Sequence, residues 1–277
     1  MEEELLNLRK KIFLTGYSVN IAHLASSFSI VEILYSLYKN KKLKYDAKKP
    51  KKEDRDIFIL SKGHGSLALY SILQEVGFFD INYLNSFCKK GSTLGGEPCV
   101  PDIPGIEATT GSLGHGLSVG VGMALAKKID KRDEKVFVLL GDGELEEGTI
   151  WEAIMFASHS NLNNLIAIVD CNHIQKMGFT KDIMSIDNWK SRFASFEWNV
   201  KEVDGHDVKE LDRIFDEGNE SDKPLVILAN TIKGKGVSIV ENDPRWHWRL
   251  PNKKELKIFM QELNITEEEI DQCRKAI

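Results

Sequence analysis

A chain of 277 residues, 42% of them hydrophobic, can bury a large core, and 37 basic against 42 acidic side chains, a net charge of −5, argue against nucleic acid as an electrostatic partner. The alternation of strand-like and helix-like patterns, with no Ser/Pro-rich linker, predicts one α/β domain over residues 1–277. The four cysteines, Cys88, Cys99, Cys171 and Cys273, lack metal-ligand spacing and fit a reducing compartment, the cytoplasm. No run is long and apolar enough to span a bilayer, and the start MEEELLNLRK has neither the charge order nor the apolar core of a signal peptide, so neither membrane insertion nor export is expected.

Leu5, Leu6, Ile12, Phe13 and Leu14 recur at helical spacing and predict a helix over 3–17; residues 30–37 predict a second. Between them AHLASSFS reads as a small-residue loop holding His23, with Ser29 placed to cap the second helix and Glu32 at capping-box distance. The run 39–52 carries eight lysines and reads as a solvated loop. Residues 56–60 predict a buried strand ending in Ser61-Lys62-Gly63-His64-Gly65, whose glycines permit a backbone that presents His64 outward. Residues 91–113 are rich in Gly, Pro and Thr, and a loop of that length inside a compact domain predicts function. It opens a helix over 114–128 whose glycine-crowded start, GSLGHG, suits the approach of an anion, while Gly120 and Gly122 suit close helix packing.

Residues 136–140 and 165–170 are apolar runs rich in Val, Ile and Leu, and they bracket a helical segment at 149–160, so the stretch predicts a βαβ unit with parallel strands. The first run enters Gly141-Asp142-Gly143, the second ends in Asp170-Cys171-Asn172, and 28 residues separate Gly143 from Asn172. Both polar ends therefore face one sheet edge, the edge at which open α/β sheets bind ligands. A carboxylate and a carboxamide one strand apart, joined by a carbonyl such as that of Ile174, are hard oxygen donors suited to Mg²⁺ or Ca²⁺, and Mg²⁺ usually shares its shell with phosphate oxygens. A tight turn at GDG and a cap at Asn172 would account for either end alone. Glu144, Glu146, Glu147 and Glu152 crowd the start of the crossover helix, where acids offset the helix dipole. His159 in that helix reads as structural.

Residues 198–203 and 225–229 predict further strands, with Asp207 capping the helix between them. The strand at 225–230 runs into Thr231-Ile-Lys-Gly-Lys-Gly236, a loop able to hold anions, and then into Trp246-His247-Trp248. The tail, 253–277, reads as two amphipathic helical pieces with Thr266 capping the second.

GDG, 28 residues and then Asn, ending in DxN, resembles the thiamin diphosphate motif, and GDGELEEGTIWEA resembles its transketolase version. The likeness extends over nearly the whole chain, which resembles the amino-terminal, diphosphate-binding part of transketolase. It implies an open, mostly parallel sheet with helices on both faces, the thiamin diphosphate-binding fold. It also implies thiamin diphosphate with Mg²⁺, or Ca²⁺ or Mn²⁺ in its place, and transfer of a two-carbon ketol unit from a ketose or ketose phosphate to an aldose. Carried over by position, Asp142, Asn172 and the Ile174 carbonyl hold the metal, and His64, Gly111, Leu113, His115, Gly141, Gly143 and His247 surround the cofactor. His23, matching the histidine of the family's His-Pro-Gly-Gly-Ser, and His247 reach substrate hydroxyls. Glu147 and Glu152 match glutamates of a proton relay between paired active sites.

The resemblance further implies a missing half. The glutamate that activates the cofactor belongs to a second domain, so a separate C-terminal subunit is expected, in an α₂β₂ heterotetramer. Three positions depart from the family pattern: Glu97 in Gly95-Gly96-Glu97-Pro98 replaces a histidine, His173 follows Asn172, and Trp248 stands where glycine follows Trp-His. The α chain of a 2-oxo acid dehydrogenase, or an inactive regulatory homologue, are the alternative readings.

Overall fold

The computed structural model describes residues 1–21, 23–185 and 188–275, except for the side chains of 274 and 275, so 276–277 of the predicted tail lie outside the described residues. Seven strands occur among the described residues: β1 (Ile57–Leu60), β2 (Val136–Gly141), β3 (Leu165–Cys171), β4 (Ile174–Gln175), β5 (Gly178–Phe179), β6 (Asn199–Asp204) and β7 (Leu225–Asn230). Five form one parallel sheet in the order β1-β2-β3-β7-β6, while β4 and β5 pair separately as a short antiparallel hairpin.

The central strands are apolar throughout because both faces are covered, as parallel sheets require. Phe137, Leu139, Ile166, Ile168, Leu225 and Ile227 point into one core, closed by helices Glu2–Tyr17, Ser66–Glu75, Val208–Glu217 and Lys253–Glu262. Their neighbours Val136, Val138, Leu140, Ala167, Val169 and Val226 point into the other, closed by helices His115–Ile129 and Gly148–His159. The predicted layered α/β architecture is thus found, and the two strands of the predicted βαβ unit each run one residue further than expected. Gly120 allows helix His115–Ile129 to lie close on the sheet, since a Cβ there would stand 2.5 Å from Val138 Cγ2. Gly122 meets nothing within 4 Å, so close packing explains Gly120 only.

The structure corrects several local expectations. The stretch 24–28, read as loop, is a helix (Leu24–Phe28), and the helix expected over 30–37 is a short α-helix, Val31–Leu34, continued by a π-helical turn, Tyr35–Lys39. Ser29 does not cap it. The Ser29 hydroxyl donates to Asp170 Oδ2 at 2.7 Å, and Glu32 pairs with Arg9 at 2.7 Å and with His206 Nδ1 at 3.0 Å. Buried long-range partners outcompete the local capping box here, because an unpaired buried carboxylate costs more than a missing cap. Glu144 and Glu146 sit in a 3₁₀ turn, Gly143–Glu146, ahead of the helix they were expected to open, and His159 is exposed. Asp207 caps its helix through Lys209 N and Glu210 N, and Thr266 accepts from Glu269 N, both as expected. Among the described residues no helix is long and apolar enough to cross a membrane.

Candidate active site

The carboxyl ends of β1, β2, β3 and β7 meet at Asp170, the penultimate residue of β3, which has no exposed surface. Lys62, two residues beyond β1, donates to Asp170 Oδ2 at 2.5 Å, Ser29 to the same oxygen at 2.7 Å, and Asn172 Nδ2 at 2.9 Å. Thr231, following β7, donates to Oδ1. Burial alone would raise this carboxyl, but Lys62 and the hydroxyl donors hold it below the ordinary aspartate range. Asp170 therefore fixes three loops and turns the Asn172 amide so that Oδ1 faces away from it, accepting from Ile174 N at 3.1 Å.

Beside this hub Asp142, the residue after β2, is almost fully buried, 3% exposed, and its oxygens accept only backbone N–H groups in the described structure, from Gly143 at 2.8 Å and His173 at 2.5 Å. Burial and the nearby Asp170 charge push its pKa up to about 6. The backbone of His173 reaches it through a left-handed conformation, φ 60°. The Ile174 carbonyl, next along, accepts from Lys233 Nζ at 2.8 Å, and that ammonium also lies 2.9 Å from His247 Nδ1. Lys233 is 2% exposed, and burial followed by repulsion from Lys62 lowers its pKa to about 7, against the pull of Asp142 and Asp170.

A cavity of about 340 Å³ opens over these groups. His23, His64 and His247 wall it, with ring centroids 5.5 Å, 5.5 Å and 5.7 Å apart pairwise. Burial, then the lysines Lys233, Lys176 and Lys62, brings His23 down to about 4; burial, then Lys233 and His23, brings His247 down to about 3; His64 is lowered too, chiefly by burial. All three imidazoles are therefore neutral near pH 7, able to give a proton from one nitrogen and accept at the other. Gly111, Leu113, Gly141, Gly143, Asn172 and Ile174 also line the space. Gly111 is obligatory at φ 129°, because a Cβ there would stand 1.9 Å from Glu97 Oε2; the space it leaves is taken by the Glu97 carboxylate, which lines the cavity.

Of the residues singled out from sequence, His115 and Glu147 do not line the cavity. His115 is exposed with Nδ1 3.2 Å from the Leu113 carbonyl, while Glu147 and Glu152 sit outside it at the start of helix Gly148–His159. The reading from sequence missed Lys62, Glu144, Asp170 and Lys233 as site residues. Glu144 has the place of an acid that offsets a helix dipole, yet its buried carboxylate accepts from Ser61 Oγ, Gly114 N and Gly141 N, fastening the glycine-rich loop to the end of β2. The signal for Lys62 and Lys233 was present: each follows a strand ending at the same sheet edge.

The chain matches the family described as "Transketolase, thiamine diphosphate binding domain" over residues 17–269. It belongs to the transketolase family. It is 38% identical over 257 residues to an apulose-4-phosphate transketolase subunit of Phocaeicola vulgatus, covering 92% of this chain and 91% of that protein. It is 40% identical over 224 residues to the 6-deoxy-6-sulfo-D-fructose transketolase subunit SqwG of Clostridium sp., covering 80% and 81%. Among solved structures, transketolase from Campylobacter jejuni superposes with a TM-score of 0.87 at 28% identity over 99% of this chain. The chain spans 45% of that enzyme and 91% of the apulose-4-phosphate transketolase subunit. The fold is the thiamine diphosphate-binding fold of transketolase, and the chain is a transferase subunit of the ketol-transferring type; the 2-oxo acid dehydrogenase alternative is not favoured.

Because Lys62 and Asp170 are a buried pair, removing one partner strands the other. Lys62→Met should destabilise the chain by about 3–5 kcal/mol in urea unfolding, whereas His64→Ala, which leaves the pair intact, should cost clearly less. Equal losses would show that the ion pair does not hold this end of the sheet.

Proposed function

We propose that this chain holds thiamine diphosphate and Mg²⁺, with Ca²⁺ or Mn²⁺ able to replace it, and that with a C-terminal partner it moves a two-carbon ketol unit from a ketose or ketose phosphate to an aldose. The observation that carries this is the convergence of Asp142, Asn172 Oδ1 and the Ile174 carbonyl at one sheet edge beneath three neutral imidazoles. No cluster of three His, Cys, Asp or Glu side chains suited to a metal occurs among the described residues, but a set of carboxylate, carboxamide and carbonyl fits a cation that completes its shell with diphosphate oxygens and water. The fit has a physical basis in Asp142: a buried carboxylate whose partners are backbone N–H groups gains from a divalent ion. A cation on the Ile174 carbonyl would repel the Lys233 ammonium now bonded to it, which favours turning that charge toward the anion.

When bound, thiamine diphosphate supplies the carbanion chemistry of ketol transfer. The chain supplies binding and proton handling. Gly111, Gly141 and Gly143 bring backbone close to the cofactor, His64 and Leu113 border it, and Lys233 adds positive charge at the diphosphate end. His23 and His247 hold neutral rings at the substrate hydroxyls, where each can accept or return a proton. His115 stays a candidate cofactor contact and Glu147 a candidate relay residue that act from outside the cavity.

The partner carries the activating glutamate, and an α₂β₂ assembly fits a chain of this length with paired sites. Exposed Val119, Met155 and Phe156 on the helices beside Glu147 and Glu152 support an interface there. Cytoplasmic location fits the four free cysteines. Purified alone, the chain should turn over no ketose, and it should gain activity with a separate subunit of roughly the complementary family length; turnover without partner would refute the division of labour. Asp142→Ala should abolish turnover and reduce Mg²⁺-dependent thiamine diphosphate binding in calorimetry, with folding retained by circular dichroism. Unchanged magnesium dependence would remove Asp142 from the metal.

The donor is a modified ketose and not the ordinary pentose phosphate pair. In the family pattern a histidine touches the donor's terminal hydroxyl; here Glu97 faces the cavity instead, an acceptor only when ionised. Its charge opposes an anionic donor at that end. The relatives are named for apulose 4-phosphate and for 6-deoxy-6-sulfo-D-fructose, neither of them a pentose 5-phosphate. Glu97→His should raise kcat/KM on xylulose 5-phosphate about tenfold or more, equivalent to about 1.4 kcal/mol in the barrier. An efficient wild type that histidine does not improve would overturn this.

A further inference from the structure

Trp248 directly follows His247, at a position where the transketolase pattern has glycine. Its ring centroid lies 4.1 Å from that of His23 with 69° between the planes, an edge-to-face contact. Even so, 55% of the residue is open to solvent, a large apolar surface left wet in the free chain. The backbone that carries it is anchored on both sides. Trp246 is buried against Phe259, centroids 5.5 Å apart, and Arg249 lays its guanidinium 4.0 Å from the Trp246 ring while pairing with Glu255. The indole does not itself line the cavity; it is presented at one flank of His23, which does, and whose ring stands 5.5 Å from both His64 and His247.

We propose that Trp248 is a specificity-determining residue: its indole closes the His23 flank of the donor site, offers an apolar face to the C–H groups of a short ketose, and occupies room that glycine leaves to longer ones. This rests on the ketol-transfer reading of the site. A pocket wall that meets one carbon unit of a substrate changes kcat/KM by about 10- to 200-fold, so a whole indole in place of glycine is ample for discrimination by length. The same ring contact restrains His23, so the donor and the group that handles its hydroxyl meet one wall.

The test uses the chain assembled with its partner, thiamine diphosphate and Mg²⁺, and measures kcat and KM for erythrulose, a four-carbon donor, and fructose 6-phosphate, a six-carbon one. Trp248→Gly should raise kcat/KM for fructose 6-phosphate relative to erythrulose about tenfold or more, with the change in KM, and Trp248→Phe should keep most of the wild-type ratio. Independently of turnover, erythrulose should change the tryptophan emission of the wild-type assembly and not that of Trp248→Phe. Should the wild type turn over no ketose, the ketol-transfer reading fails and the emission titration alone decides Trp248. An unchanged donor ratio in Trp248→Gly, or an emission response that persists in Trp248→Phe, overturns the proposal. A drop in partner affinity by sedimentation with the donor ratio unaltered does so too, and makes Trp248 a subunit contact.

Discussion

The site depends on one fully buried carboxylate, Asp170, and on the lysine that neutralises it. Placing a charge at the end of a central strand, between two apolar cores, is tolerable only because Lys62, Ser29, Thr231 and Asn172 satisfy it from four different segments. Each of those segments gains a fixed position in return. The loop after β1 that carries His64, the approach to helix Val31–Leu34, the loop after β7 and the Asn172 amide are all registered against one point. The geometry of the proposed metal and diphosphate site is therefore set in the free chain, by an ion pair whose lysine borders the cavity.

Around that point the charges are arranged in opposition. Asp142 is drawn up to about 6 by burial and by Asp170, and Lys233 is drawn down to about 7 by burial and by Lys62, so in the free chain each charge is held at a cost. The three imidazoles are kept neutral by burial and by the same lysines. A cation and an anion entering together would relieve both strains at once, the cation on Asp142 and the anion on Lys233. A cation alone would relieve only the first. At the proposed site, metal and diphosphate are therefore expected to bind together.

Much of this was readable from sequence because it is carried by pattern. Continuous apolar runs at 136–140 and 165–170, with glycine and acid at their ends, identify parallel strands and their functional edge, and the strands end within one residue of expectation. What escaped was set by distance in the chain. Ser29 and Glu32 have the spacing of a cap, yet their partners, Asp170 for one and Arg9 and His206 for the other, lie far off in sequence. Glu144 looks like any acid at a helix start, and only the fold shows that Ser61, Gly114 and Gly141 converge on it. Leu24–Phe28 is made mostly of small and polar residues that carry no helical period, and burial, not propensity, makes it a helix.

The departures from the transketolase pattern fall unevenly over this framework. The groups proposed to face metal and cofactor, Asp142, Asn172 and Ile174, stand on strand ends or within two residues of one, and Asn172 ties the Asp170 network to the Ile174 backbone, so that changing it would take a partner from a buried charge. Glu97 lies in the long loop of 91–113 and Trp248 beyond the turn Pro244–Trp246, both outside regular secondary structure. Loops absorb a new side chain without moving the sheet. A division of this kind lets donor preference change at Glu97, which lines the cavity, and at Trp248, which packs against His23 in its wall, while the chemistry proposed for the strand ends stays as it was, because the two sets of residues do not share a scaffold.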